Sequence, residues 1–297
     1  MKVIIPMSGS GSRFKKAGYF MPKPLIRVDG LPIIAHVVNM FSPDDEFIFI
    51  CNSEHLSDDK LDLAGALKKI AQKCEIVGVE PHKLGPNYAI VVASDFLDDE
   101  PVFVSYCDFK LTWNKDDFLD EAEKSGADSA SVCYKGFHPH LLGPNLYAGV
   151  RTDDKNFALE VAEKHSFTEN KMDTWQQSGL FWFSSGSMLV EYCERALNEG
   201  WLINGESYTS LLFNPMIGDG LKSLVYPAEH FCQWGTPEDL EEYEAWSRFF
   251  ARANGMEKGK TDIPEEREKN VRIKSSLESA EYKKIRDYWG KYFAVPR

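Results

Sequence analysis

The chain contains no Cys-x-x-Cys pair; its six cysteines stand apart at positions 51, 74, 107, 133, 193 and 232. That scatter excludes a disulfide framework and a cysteine zinc site. Cys51, which follows Phe47-Ile48-Phe49-Ile50, reads as a small buried hydrophobe in a reducing cytoplasm. No apolar run approaches the roughly 20 residues that span a bilayer. The N-terminus leads straight into a strand and a glycine-rich loop, so neither a membrane span nor a signal peptide is expected. Gly-x-Ser-x-Gly and His-Glu-x-x-His are both missing, which leaves hydrolase and zinc-protease chemistry unsupported. Internal repeats and low-complexity tracts are missing too. Positive charge is scarce: 34 Lys and Arg against 46 Asp and Glu give a net charge of −12. Duplex nucleic acid and anionic membrane surfaces are therefore poor candidates as main partners.

What is present is an ordinary globular composition, 43% hydrophobic and 27% charged over 297 residues, with ample material for a core. Apolar runs at 3–6, 47–51, 75–79, 102–106 and 129–134 predict strands, and helical patterns fall between them at 33–40, 61–72, 88–96 and 118–124. This alternation predicts an α/β fold, a Rossmann-like mixed, mainly parallel sheet flanked by helices. Ligands of such sheets bind at the carboxyl ends of the strands. The loop at 9–13, the loop after Val79 and the Cys107-Asp108 corner then share one rim. From about residue 137 the pattern changes to loops and to strands at 147–151, 158–162 and 180–183, a smaller antiparallel part across the cleft. Amphipathic helices are expected over 238–250 and 265–292, joined by a linker at 255–262.

The most informative stretch follows the first strand: Met7-Ser8-Gly9-Ser10-Gly11-Ser12-Arg13, then Lys23-Pro24-Leu25. Gly9 and Gly11 can take positive φ and lack a Cβ, so backbone N–H groups can approach a polyphosphate. Arg13 and Lys23 would add the cationic charge a triphosphate needs. The dinucleotide fingerprint requires a third glycine where Phe14 stands, and the Gly-Lys-Ser/Thr of a P-loop is absent. Charge agrees: within residues 1–30, Lys2, Arg13, Lys15, Lys16, Lys23 and Arg27 face Asp29 alone, in an otherwise acidic chain.

Further along, the run 102–106 ends at Cys107-Asp108, where a strand-end carboxylate can hold a Mg²⁺ that bridges phosphate oxygens. The strand at 158–162 closes on Glu163-Lys164, Gln177-Ser178-Gly179 opens an aromatic strand, and Asn204-Gly205-Glu206-Ser207-Tyr208 and Gln233-Trp234-Gly235-Thr236-Pro237-Glu238-Asp239-Leu240 follow. In the last of these Thr236 is an N-cap with Pro237 at the first helical position. His138-Pro139-His140 has no acidic or cysteine partner nearby and is a poor catalytic candidate.

Together, G-x-G-x-R with P-K-P-L at this spacing and the closing G-T-P-E-D-L resemble the sugar-phosphate nucleotidyltransferase family. The N-G-E-S-Y segment is similar to its branch tied to bacterial surface polysaccharides, which includes phosphoglutamine cytidylyltransferase-like enzymes. The resemblance covers residues 1–246 and implies a GT-A-like nucleotidyltransferase fold. It also implies transfer of a nucleoside monophosphate, with CTP favoured, to a phosphorylated small-molecule acceptor with release of pyrophosphate. By the same resemblance Lys83, Gly85, Pro86 and Asn87 take the place of the base-reading loop, and Asp108 is a Mg²⁺ ligand. Gly149, Glu163, Gly179 and Glu206 fall on the acceptor side, and Lys164 would meet the acceptor phosphate. Position 233 departs from the pattern, since many relatives carry a second metal-binding Asp there and this chain has Gln233, whose neutral amide oxygen can still ligate Mg²⁺ beside Asp108 but cannot offset the ion's charge. Either Asp108, phosphates and water suffice, or Glu206 supplies the missing carboxylate.

The expected organisation is a transferase domain at 1–246, with a nucleotide half at 1–110 and an acceptor half at 111–246, followed by a helical extension at 247–297. The expected setting is cytoplasmic, with a homo-oligomer open. Two rivals stand beside this reading. A glycosyltransferase of the same general fold would show Asp-x-Asp, but Tyr106-Cys107-Asp108 has one acid. A catalytically silent subunit would have no need of Arg13, Lys23 and Asp108 together.

Overall fold

A computed structural model describes residues 1–256, 262–264 and 280–293. Its strands are β1 Lys2–Met7, β2 Arg27–Val28, β3 Leu31–Pro32, β4 Glu46–Asn52, β5 Cys74–Val79, β6 Val102–Ser105, β7 Phe109–Thr112, β8 Ser129–Tyr134, β9 Gly149–Thr152, β10 Ala158–Ala162, β11 Trp175–Phe183, β12 Ser223–Pro227 and β13 His230–Gln233. Nine of them form one mixed sheet in the order β10-β9-β11-β6-β1-β4-β5, with β8 beside β11 and β12 beside β8. Val3, Ile4 and Ile5 have no exposed surface, as expected for a strand covered on both faces. β1 runs parallel to β4 on one side and to β6 on the other. Strands β4 and β5 add on one side of β1 and β6 on the other, so the order of connections switches at β1, and the crevice beyond its carboxyl end is where such sheets take ligands.

One face of the sheet buries Phe47, Phe49, Phe103 and Phe118, and the other buries Ile48, Val104, Phe181, Phe183 and Phe213. Apolar area removed from water at about 25 cal/mol per Å² is what holds these layers together. The helices fall close to their expected positions, at Ile33–Val38, Leu63–Ile70, Pro86–Val92 and Lys115–Ser125. Pro86 occupies the first turn of the third helix, where its missing N–H is harmless. The aromatic strand is longer than its pattern suggested and begins at Trp175, because β11 pairs with β6, β8 and β9 at once. The antiparallel strands β9, β10 and β11 thus extend the main sheet.

The helix Pro237–Ala253 starts with a capping box in which Thr236 and Asp239 satisfy each other's backbone N–H groups. It runs unbroken past residue 247, so the expected boundary falls inside one helix. With the helix Ala280–Phe293 it encloses a third core of Phe14, Tyr19, Trp234, Tyr243, Trp246 and Trp289. Phe14 lies in the short helix Ser12–Lys16 beside Arg13, so this aromatic core buttresses the glycine-rich loop from behind. Tyr243 and Ser247 donate hydrogen bonds to Asp29, a further tie to the N-terminal segment. Residues 257–261 of the expected linker and 265–279 of the expected last helix lie outside the described residues. Among the described residues, no helix is long and apolar enough to cross a membrane.

Candidate active site

Two cavities open at the carboxyl ends of β1 and β6. The first, about 370 Å³, is walled by every residue from Pro6 to Phe14, with Lys23, His82, Lys83, Gly85, Pro86, Asp108, Glu206 and Tyr208. The second, about 240 Å³, is walled by Tyr147, Glu163, Lys164, Gln177, Gly179, Phe181, Ser210 and Asp239 among others. Arg13, Lys23, Tyr106, Asp108, Tyr208 and Gly235 line both. The glycine-rich loop and the Glu163-Lys164 pair therefore face one seam.

Lys23 closes that seam. Its Nζ donates to Asp108 Oδ2 and, at 3.2 Å, to the Gly235 carbonyl. Asp108 is set by strand pairing, since β7 and β13 are antiparallel and the Trp234 N–H donates to the Asp108 carbonyl at 2.7 Å. Gly235 brings that backbone to the same point, within 3.5 Å of Asp108 Oδ2 and 3.7 Å of Asp239 Oδ2 as measured from a Cβ built on it. Asp239 is held by Gln233 Nε2 at 2.6 Å and by Thr236, and its burial raises its carboxyl pKa against those bonds and the Lys23 charge. Arg13 and the Lys164 ammonium form no ion pair with another described residue, so both cations are available to a ligand. Lys164 sits at φ +54°, an uncommon backbone state for a non-glycine residue that occurs often at functional sites.

In the first cavity, Gly11 alone of the two loop glycines takes a left-handed conformation, at φ +61°. His82 accepts the Leu84 N–H at Nδ1, which leaves Nε2 as the donor toward Ser8 Oγ at 3.0 Å. Burial lowers its imidazole pKa, with Glu206 opposing, so His82 is neutral at pH 7. In the second cavity Ser210 donates to Glu163, whose carboxyl pKa is raised by burial against that bond and the nearby Lys164 charge. Cys107 is no nucleophile: burial and the Asp108 charge push its thiol up to about 12.

The loops of the two cavities are stitched together. Ser207 N–H donates to the Leu84 carbonyl at 2.8 Å, and Asn87 N–H donates to the Ser207 carbonyl at 3.2 Å. Asn87 Nδ2 donates to Ser207 Oγ and to the Tyr208 carbonyl, both at 2.9 Å. Gly85, at φ +87°, makes this approach possible, because a Cβ there would lie 2.6 Å from both Ser207 N and O. Gly85→Ala should destabilise the fold by about 1–3 kcal/mol through backbone strain and weaken binding in the first cavity. Urea unfolding and ligand titration of the variant check both effects.

Most residues singled out in the sequence line these walls. Met7 to Arg13, Lys23, Lys83, Gly85, Pro86 and Asp108 line the first cavity, and Glu163, Lys164 and Gly179 the second. Four lie elsewhere. Asn87 is fully buried and turned toward Ser207. Glu206 faces the first cavity, held by the Tyr208 hydroxyl, and does not border the second. Gly149 sits in β9, opposite Gln176 of the neighbouring β11. Gln233 directs its amide N–H to Asp239 and lines neither cavity. Sequence reasoning missed His82, Tyr106, Tyr147, Gln177, Ser210 and Asp239. In the sequence Asp239 reads only as an acid favoured at the positive end of the helix that Thr236 caps.

A metal would have to be held mainly by substrate. Among the described residues, no group of three or more His, Cys, Asp or Glu side chains could bind one. Gln233 Oε1 is buried without a partner and lines neither cavity, so Asp108 is the carboxylate at the seam. Mg²⁺ commonly binds through one or two carboxylates, water and phosphate oxygens, and Asp108 beside the glycine-rich loop fits that requirement.

Residues 3–165 match the model of the MobA-like NTP transferase domain. The chain is 28% identical over 187 residues to the bifunctional protein GlmU of Allorhizobium ampelinum, covering 60% of this chain and 37% of that protein. It thus spans little more than a third of that relative. The nucleoside-diphosphate-sugar pyrophosphorylase of Vibrio cholerae superposes with a TM-score of 0.65 at 18% identity, covering 82% of this chain and 99% of that one. The inositol-1-phosphate CTP transferase of T. maritima superposes at 0.60 and 15% identity, covering 80% and 90%.

Proposed function

Given that the chain belongs to the MobA-like NTP transferase family, we propose that it transfers a nucleoside monophosphate from an NTP to a phosphorylated small molecule. Pyrophosphate is the leaving group. The observation that carries this reading is the seam, where Lys23 and Asp108 touch in the wall common to a glycine-loop cavity and a cavity bearing Glu163 and Lys164. The triphosphate would lie along the Gly9–Arg13 backbone N–H groups with Arg13 beside it. The acceptor phosphate would meet Lys164. An acceptor oxygen attacks the α-phosphorus in line as the bond to pyrophosphate breaks. That oxygen is already anionic at neutral pH, so the reaction needs no general base. The protein's task is to hold two anions together and neutralise charge building on the leaving group. Mg²⁺, held by Asp108 and phosphate oxygens, would supply part of that neutralisation.

CTP is the proposed nucleotide, on the strength of the Asn204-Gly205-Glu206-Ser207-Tyr208 segment, and a precursor of a surface polysaccharide is the proposed product. Thermal unfolding with ATP, CTP, GTP and UTP plus Mg²⁺ tests the nucleotide directly. At 100 times its dissociation constant the right one should add roughly 2.7 kcal/mol. No response to any of the four would remove the transferase reading in favour of a silent subunit.

A further inference from the structure

Lys23 stands between two prolines, and its backbone is stiff. Pro22 precedes a short helical turn over Lys23–Leu25, and Pro24 is buried inside that turn. The side chain is not stiff, because a lysine carries its ammonium on a flexible four-carbon stem. Two partners of that ammonium are the Asp108 carboxylate and the Gly235 carbonyl. A third is the ring of Phe14, over which the Lys23 Nζ lies 5.7 Å from the centroid. That is within the distance at which a negative ring face attracts a cation. Phe14 lines the first cavity together with Lys23 but is only 2% exposed, because the rest of its ring packs into the third core. Tyr19 meets it in a T-shaped contact at 5.2 Å, and the Tyr19 hydroxyl donates at 3.2 Å to Glu241 of the helix Pro237–Ala253. The ring is therefore anchored from the C-terminal helices.

We propose that Phe14 is a positioning residue that keeps the Lys23 ammonium at the seam through the face of its ring. An aliphatic side chain would fill the third core as well, but an aromatic ring also offers the cation an electrostatic surface. A ring face leaves the three N–H donors of the ammonium free for oxygen partners. When phosphate oxygens enter the first cavity, Lys23 exchanges Asp108 for them, and Phe14 holds the ammonium in place while its donors change partners. This inference rests on the transferase reading and adds the residue that orients Lys23 within it. Through Phe14 it gives the C-terminal helices a part in turnover.

The experiment compares wild type with Phe14→Tyr, which keeps the ring face, and Phe14→Met, which keeps the apolar volume without it. Pyrophosphate release is measured with ATP, CTP, GTP and UTP, Mg²⁺, and a set of sugar 1-phosphates and polyol phosphates. Phe14→Met should lower kcat about 5- to 30-fold, while KM for nucleotide and acceptor changes by less than about twofold. Phe14→Tyr should stay within about threefold of the wild-type kcat, even where its added hydroxyl lowers the urea midpoint below that of Phe14→Met. A second readout does not depend on activity. In protein labelled with ¹³C at lysine Cε, the Lys23 resonance is identified by its loss in Lys23→Ala. Its attached protons, shielded by the ring, should lie upfield of those of solvated lysines in wild type and Phe14→Tyr, and return to the ordinary position in Phe14→Met. An unchanged kcat in Phe14→Met, a kcat that follows the urea midpoint across the three proteins, or a Lys23 resonance indifferent to the ring would overturn the inference while the transferase reading stands. Where Phe14→Tyr does not fold, the resonance in wild type and Phe14→Met decides. No pyrophosphate release from wild type with any of these nucleotides and acceptors would overturn the transferase reading and this inference with it.

Discussion

Replacing Lys23 by alanine should lower turnover by about 10²-fold or more, the size of effect seen when one transition-state donor is removed. Lys23 bridges Asp108 and the Gly235 carbonyl at the wall common to both cavities. Arg13 approaches from the glycine loop and Lys164 from the end of β10, each toward its own ligand. The loss should fall on kcat and on kcat/KM together, because the charge Lys23 meets develops as pyrophosphate departs. Fold stability should change little, since the pair is partly exposed and such pairs contribute modestly. Pyrophosphate release under single turnover measures this directly, and near-normal activity would remove Lys23 from the chemistry.

The second large effect is on acid stability. His138, His140 and His230 cluster under the last helix, His138 buried and the other two half-buried. His138 Nε2 donates to the Phe231 carbonyl at 3.0 Å, His140 meets the Tyr134 hydroxyl, and His230 stacks between Tyr288 and Tyr292. Burial drives His138 well below its ordinary pKa, with the neighbouring His140 adding to it. Burial also lowers His140 to about 3 and His230 to about 4, with the charges of Lys171 and Lys291 respectively adding to the fall. The folded state therefore binds fewer protons than the unfolded chain below pH ~6.5. Stability contributed by these neutral rings is present above that pH and declines as pH falls toward the folded values. At pH 5 the His140 and His230 rings should each cost about 2 kcal/mol, and His138 adds to the loss. Glu163, Asp239 and Glu242 oppose the trend, because burial raises their carboxyl pKa values. Substitution isolates the imidazole part. His230→Phe keeps the aromatic stack and removes a buried Nε2 that has no partner. It should match wild type in urea at pH 7.5 and exceed it by about 2 kcal/mol at pH 5. A variant that tracks wild type at both values would contradict the assignment.

These two predictions differ in how much of their basis was visible beforehand. The doubly covered strands were legible because Val3-Ile4-Ile5 and Phe47-Ile48-Phe49-Ile50 are continuous apolar runs, and β1 and β4 fall on them. The glycine-loop side of the seam was equally legible. Strand-end loops in such a sheet share a rim, so Gly9–Arg13 and Asp108 had to meet. What stayed hidden depends on contacts between distant residues. Asn87 reads as a loop amide until Ser207, 120 residues later, comes to meet it. Glu206 reads as an acceptor ligand or a metal carboxylate until Tyr208 is seen holding it in the first cavity. Gln233 looks like a weakened metal ligand but is instead the donor that fixes Asp239. The two histidines of His138-Pro139-His140 were poor catalytic candidates, and their partners Phe231 and Tyr134 give them a place in the packing.

A structure with a non-hydrolysable NTP and Mg²⁺ tests the central claim most directly. The account predicts triphosphate oxygens within hydrogen-bond distance of the backbone N–H groups between Gly9 and Arg13, with Lys23 released from Asp108 toward the phosphates. A nucleotide bound away from that loop, with Lys23 and Asp108 still paired and untouched, would contradict it.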